Sequence, residues 1–442
     1  MARRRSIAHW CLRAACLLAC CVAIGSSACQ SAGPPPAFDG VAGLPAHGGT
    51  IRVRIAHAAD EILVTGPRLV LIRNTGRTSV LRTPIRMIAD GATVVLDAAG
   101  ERLRVAGSVT LASAEPRAVP PPPRYTPEWF AEAPAVELDG AAYAGEVQVQ
   151  AGGDGLTAIN VVDLEQYVAS VIARELYPSW HPAAFEAQAV AARSYAVHEM
   201  GEALRARRGY DVMASTADQA FGGRTTLRRA IDATIATRGR ILSWRGRPLK
   251  AYYSSTAGGR SASAADTWPD GPGFGYNLAA PLQARRIVHA SEASPYHRWT
   301  VRRSTEDVTR RLRAWGATNG HDLRLARDVV FIGVHSTNRV GRPTHYSVHE
   351  RNGVSYVLEA EQLRGALNAA AEGLPAATGD QLVRSGDLEA VASGGHFVFR
   401  GRGFGHGVGM CQFSAHALAM RRWHAERILA NFYPGARVER VY

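Results

Sequence analysis

The 442-residue chain predicts an α+β fold: a mixed core domain with antiparallel strands and a helix pair, preceded by a small β-rich domain. From Ile51 to about Ala112 the apolar runs are short and β-branched (IRVRIA, EILVTG, RLVLI, TVVLD, RLRVAG, SVTLA), with glycine, asparagine or aspartate between them. These read as strands joined by tight turns. Between Asp163 and His198 the apolar spacing changes to that of two helices. Beyond His198, strand and helix patterns follow in mixed order, which favours α+β over a regular βαβ repeat.

The first 28 residues read as a signal peptide. Arg3, Arg4 and Arg5 form a basic region, and Ala14 to Gly25 is an apolar run too short to span a bilayer. Cleavage after Ala28 suits an ordinary signal peptidase, and it equally leaves Cys29 as the lipidated first residue of a lipoprotein. The expected destination is the cell envelope, either anchored to the membrane through Cys29 or soluble after cleavage. Cys11, Cys16, Cys20 and Cys21 lie in the removed segment, so the mature chain keeps only Cys29 and Cys411 and has no disulfide framework. Residues 29–48 form a flexible tether containing QSAGPPPAF. The β-rich domain is assigned to 49–115, a proline-rich connector (AVPPPPRYTPEW) to 116–132, and the core domain to 133–442.

A composition of 46% hydrophobic and 20% charged residues is that of a globular protein and makes disorder an unlikely default. The net charge of +13 is carried almost wholly by arginine, Lys250 being the only lysine. The arginines are scattered, and no helix-turn-helix, RNP or zinc-finger pattern accompanies them, so nucleic acid is not an expected partner. On an exported protein the anionic cell wall is the more economical one.

The first helix starts at Asp163, which with Gln166 resembles a capping box, and Pro178 ends it shortly after Glu175. Leu164, Tyr167, Val168, Val171 and Ile172 form its buried stripe, and Glu175 is next on that stripe. A partly buried carboxyl at the negative end of a helix holds its proton more tightly and can act as an acid near neutral pH. The same pattern fits a carboxylate that pairs with Arg174 or Arg193, or one that bends into solvent. Ser179 or His181 caps a second helix, with Pro182 in its first turn. The alanine-rich body of that helix, AAFEAQAVAARSYAV, lets a neighbouring backbone come close. Further helices are expected near Leu227–Thr237, Thr305–Ala314 and Ala360–Ala371, with strand character over Val329–Val357.

The glycines at 401, 403, 405, 407 and 409 alternate, allowing close approach at every second residue. Neither a phosphate-loop nor a dinucleotide-binding spacing is present. The segment fits a strand and turn against which a sugar chain or another strand lies; it also fits a packing strand with His406 hydrogen-bonded in the core. Ser254, Ser255 and Thr256 precede Gly258 and Gly259, but no nucleophile elbow surrounds them. They read as hydroxyls lining a sugar-binding loop.

Three blocks, ELYPSWHPAAFEAQAVAARSYA, YYSSTAGGRSASAADTW and GRGFGHGVGMCQFSAHALA, occur in the same order as in a known family. From about Asp139 to its C-terminus, the chain resembles the stage II sporulation protein D group, which includes peptidoglycan lytic transglycosylases and amidase enhancers. The resemblance implies an enzyme that cleaves the bond between N-acetylmuramic acid and N-acetylglucosamine to give 1,6-anhydro products. Glu175 would be its acid and base. Arg193 would stabilise Glu175 or bind sugar, and Ser254, Ser255, Gly258, Gly259, Gly405, His406, Gly407 and Gln412 would line the substrate cleft. The implied partners are peptidoglycan glycan strands stripped of peptides and a cell-wall amidase; the alternative is a non-catalytic wall-binding enhancer of that amidase.

No cofactor is implied. Some family members hold zinc near the segment matching Met213 to Gln219, but Met213, Ala217 and Asp218 offer no soft ligand, so no metal is expected. The chain also departs from the family at Ala183, Glu186 and Cys411. Were the reaction a hydrolysis, Asp218 or Asp266 would be the candidate second carboxylate.

Overall fold

The computed structural model describes residues 49–442 apart from 67–68, 74–75, 99, 115–124, 216–217, 288–291 and 293. The signal peptide, the tether and Cys29 lie outside the described residues. The described helices are α1 (Pro127–Ala131), α2 (Leu164–Glu175), α3 (Pro182–Arg205), α4 (Arg228–Ala236), α5 (Thr305–Asn319), α6 (Ala360–Asn368), α7 (Gln412–Met420) and α8 (Ala425–Phe432).

The β-branched runs form two sheets sharing one core. The first has seven strands in the order Val212–Met213, Thr50–Ala59, Gly155–Asp163, Glu146–Gly152, Ser108–Ser113, Leu69–Arg73 and Thr78–Leu81. The second has six: Ala141–Ala144, Ala135–Leu138, Glu61–Thr65, Ile85–Asp90, Thr93–Ala98 and Glu101–Ala106. Their inward residues, among them Ile62, Val64, Leu69, Leu71, Met87, Leu96, Val136, Val147 and Leu156, pack as one cluster. Strands from both sides of the proline-rich run therefore interleave: Val64 pairs with Leu138, and Thr50 to Ala59 runs antiparallel to Leu156 to Asp163. A boundary at 116–132 does not separate two independent sheets, because the backbone partners of the early strands come from residues beyond 133.

The Gly155–Asp163 strand of this sandwich runs straight into α2. Asp163 Oδ1 accepts the N–H groups of Glu165 and Gln166 at 2.8 and 3.3 Å, satisfying two otherwise orphaned donors. The expected reciprocal half of the capping box does not form, since Gln166 Nε2 points to the Trp129 carbonyl. His181 caps α3 through Nδ1, which accepts the Ala183 N–H.

α3 is buried on two faces. Ala184, Ala187, Val190, Ala191 and Tyr195 face a cluster built with Leu242, Tyr252, Met410, Leu418, Ile428 and Tyr433. Phe185, Ala189, Ala192, Ala196 and Val197 face α2, through Tyr167, Val168 and Val171, and the Thr50–Ala59 strand. Small side chains on both faces let surrounding elements close on one helix without leaving voids.

Residues 298–402 form an excursion with its own core, which includes Val308, Leu312, Ile332, Tyr346, Leu363, Phe397 and Phe399. Its root is zipped where Arg298 pairs with Arg402. The chain then passes through Gly403–Gly409 to a short strand, Met410–Cys411, parallel to Tyr253–Ser254, before α7 begins. The mixed architecture agrees with the α+β expectation.

Candidate active site

Glu175 is the last residue of α2 and is half-buried. It pairs with neither Arg174 nor Arg193. Instead Oε1 accepts the Ala220 N–H at 3.2 Å and Oε2 accepts the Gln412 side-chain amide at 3.1 Å. Burial pushes the Glu175 carboxyl above its ordinary value; the Gln412 and Ala220 hydrogen bonds pull it back by less. Among the described residues it has no counter-ion, but donors are already aimed at its anion.

Three distant segments bring those groups together: the end of α2, the loop at 219–220, and the start of α7. Gln219 braces the loop. Its Oε1 accepts the Tyr167 hydroxyl at 2.9 Å, while its Nε2 donates to the Tyr253 hydroxyl at 2.8 Å. Tyr253 in turn opens onto a pocket of about 240 Å³ lined by Tyr195, Asp218, Lys250, Tyr252, Trp268 and Tyr276, among others. Tyr252 and Trp268 stack with centroids 4.0 Å apart, and His406 meets the Trp268 ring edge-on at 4.9 Å. An aromatic wall with a few polar groups beside a held acid suits a sugar ring, whose apolar face stacks while its hydroxyls find donors and acceptors.

The charged groups in the pocket wall are already engaged. Lys250 Nζ lies 2.9 Å from Glu199 and about 5 Å from the rings of Tyr195, Tyr252 and Tyr276. Despite its burial, Glu199 is held down at about 2 by His198 and by the Lys250 charge. Asp218 accepts the Tyr195 hydroxyl and the Met213 N–H, both at 2.8 Å. Asp266 accepts from Asn338 instead. Neither aspartate is bonded to Glu175.

The remaining sequence candidates divide. Gln412 donates to Glu175, and His406 lines the aromatic pocket. His406 accepts the Val408 N–H at Nδ1, and burial pushes its imidazole down to about 4, so it is a neutral wall of the pocket and not a base at neutral pH. Arg193 is a correction: it is fully buried, and its Nε and terminal nitrogen bind both oxygens of Glu165 at 2.9 and 2.6 Å. With no face toward solvent it cannot reach a substrate. Gly239 N–H and the Tyr442 hydroxyl complete the Glu165 shell.

Ser254 is also buried, beneath Gly405, whose added Cβ would lie 3.1 Å from Ser254 Cβ. Ser255 acts through its carbonyl, which accepts the Phe413 N–H, and the Gly259 carbonyl accepts from Ile287. Gly258 and Gly407 abut this chain's own atoms, Arg402 and the Arg342 guanidinium respectively. Gly409 has φ +72, and a Cβ there would sit 1.9 Å from the Tyr252 carbonyl oxygen. These residues form the scaffold that seats Gln412, with the approaching partner supplied by the protein itself.

Sequence reasoning missed Gln219, Ala220, Tyr253 and Tyr276. The available signal was the aromatic content of the serine and glycine block and its surroundings.

Residues 152–244 match the family model described as Stage II sporulation protein, a span holding α2, α3, Gln219 and Ala220. The chain is 24% identical over 299 residues to an uncharacterized protein of Brachyspira hyodysenteriae, covering 67% of this chain and 72% of that one. It is 23% identical over 295 residues to stage II sporulation protein D of Bacillus subtilis, covering 64% and 76%. To the amidase enhancer of Bacillus subtilis it is 25% identical over 338 residues, 71% of this chain but only 46% of that protein. Together with the family-model match over 152–244, these similarities relate the chain to the stage II sporulation protein D family.

Proposed function

We propose that the protein is an exported lytic transglycosylase that cleaves the bond between N-acetylmuramic acid and N-acetylglucosamine in peptide-stripped peptidoglycan strands. The observation that carries this reading is Glu175: a carboxyl raised by burial, without a cationic partner among the described residues, and held by two donors near an aromatic pocket. The protonated carboxyl gives its proton to the glycosidic oxygen as the bond to the anomeric carbon breaks. The carboxylate then takes the proton of the muramic 6-hydroxyl as that oxygen closes on the same carbon, giving the 1,6-anhydro sugar. No water is consumed, and the proton lost in the first step is recovered in the second. Both donors bind the anion more strongly than the acid, so they act where charge develops. A single carboxylate suffices because the nucleophile belongs to the substrate.

The similarity to an amidase enhancer supports a second reading, in which the protein binds the wall and stimulates an N-acetylmuramoyl-L-alanine amidase without cleaving glycan. Under either reading the protein works at the cell wall outside the cytoplasm, with Cys29 as its proposed lipid anchor. Incubating the mature protein and Glu175→Gln with peptide-free strands, followed by mass spectrometry, separates them. Anhydro ends from wild type alone support the enzyme. Equal inactivity together with amidase stimulation supports the enhancer, and reducing ends indicate hydrolysis.

A further inference from the structure

A second aromatic cluster lies beside Glu175, apart from the Trp268 pocket. Tyr177 follows the acid by two residues and is 52% exposed. Its centroid lies 5.3 Å from Trp180 and 6.0 Å from Phe413, and Trp180 stacks on His416 at 4.9 Å with the rings 2° from parallel. The cluster is tied to the acid at both ends: Tyr177 continues the chain from α2, and Phe413 follows Gln412, whose amide holds Glu175. The Trp180 N–H donates to the Tyr177 carbonyl at 2.9 Å, fixing the turn that carries the ring. His416 Nδ1 accepts the His181 N–H at 3.2 Å, which places the ring proton on Nε2. Burial pushes this imidazole below its ordinary value, so it remains a neutral donor.

An enzyme cutting within a polymer must hold sugars on both sides of the bond it breaks, and a proton donor sits between those two positions. The Trp268 pocket, reached from Glu175 through Gln219 and Tyr253, provides one position. We infer that Tyr177, Trp180, Phe413 and His416 form the other, a glycan subsite in which Tyr177 stacks on the sugar across the scissile bond and His416 Nε2 donates to one of its hydroxyls. This rests on the glycan-cleaving reading above.

The test uses Glu175→Gln as a non-cleaving background and measures co-sedimentation with peptide-free glycan strands, with and without Tyr177→Ala. Because Tyr177 is exposed, its removal leaves the core untouched; thermal melts verify this. Loss of one aromatic contact is expected to weaken binding roughly 2–10-fold. Tyr177→Phe is expected to restore it, and Trp268→Ala to multiply with Tyr177→Ala, as independent subsites require. In the cleaving protein, Tyr177→Ala is expected to raise KM for long strands with little change in kcat. Unchanged binding and KM in a folded Tyr177→Ala overturn the subsite. Failure of both background proteins to bind strands overturns it together with the glycan reading. A 2–10-fold loss of binding on Tyr177→Ala, with no anhydro ends formed by wild type, keeps the subsite and removes only the catalytic claim.

Discussion

Removing the Gln412 amide tests how the site controls the charge of Glu175. Burial favours the neutral acid, and the Gln412 and Ala220 hydrogen bonds oppose it by favouring the anion. In Gln412→Ala only the Ala220 N–H remains, so the Glu175 pKa must rise further. A hydrogen bond to a charged group is worth ~1.5–3 kcal/mol. Glu175 is half-buried, so water replaces part of that bond and only part of this energy is lost. Under the proposed mechanism the working form is the protonated one, and activity is lost as pH rises through this pKa. The basic limb of the pH profile of kcat/KM for anhydro-end formation should therefore move toward alkaline pH. At the plateau the rate should fall, because a donor to the nascent carboxylate is gone; about 10-fold corresponds to ~1.4 kcal/mol of lost transition-state binding. A folded variant whose basic limb stays in place, or moves to lower pH, refutes the assignment of Gln412 as the residue that holds this carboxyl down.

Two further substitutions test the scaffold. Arg193→Met leaves Glu165 as a buried carboxylate without its cation and should cost ~3–5 kcal/mol in urea unfolding, while Arg193→Met with Glu165→Leu should recover most of the loss. A fully stable single variant would contradict the structural role assigned to the pair. Gly409→Ala combines a left-handed backbone with a Cβ 1.9 Å from the Tyr252 carbonyl, which also accepts the Met410 N–H and the Tyr433 hydroxyl. It should lower stability by ~3 kcal/mol or more and reduce activity by displacing Gln412; a thermal melt matching wild type would show that the contact can relax.

What was legible in the sequence was local. Asp163, Pro178, His181 and Pro182 mark the ends of α2 and α3 by the chemistry of caps and missing amides, and α2 ends on Glu175 as the stripe of Leu164 to Ile172 indicates. Polar partners were not legible. Periodicity identifies the apolar face of a helix, but not that α3 brings Arg193 against Glu165 in the first turn of α2, where a carboxylate ordinarily serves the helix dipole from solvent. The alternating glycines showed correctly that something comes close; what comes is Trp299 at Gly401, Arg342 at Gly407 and Tyr252 at Gly409, residues far away in sequence. The proline-rich run has the composition of a linker, yet it connects strands of shared sheets, because strand pairing is set by side-chain burial across distant segments.

The environment of the acid therefore depends on contacts far from it. Gln412 is aimed by the Met410–Cys411 strand, which lies parallel to Tyr253–Ser254 because Gly409 lets it approach the Tyr252 carbonyl. Tyr253 leads from the same strand to Gln219, and Gln219 positions the Ala220 amide on the opposite oxygen of Glu175. One two-stranded contact thus fixes both donors. A shift there would loosen the Gln412 and Ala220 bonds together, so substitutions on the two sides should couple more strongly than their separation in sequence suggests.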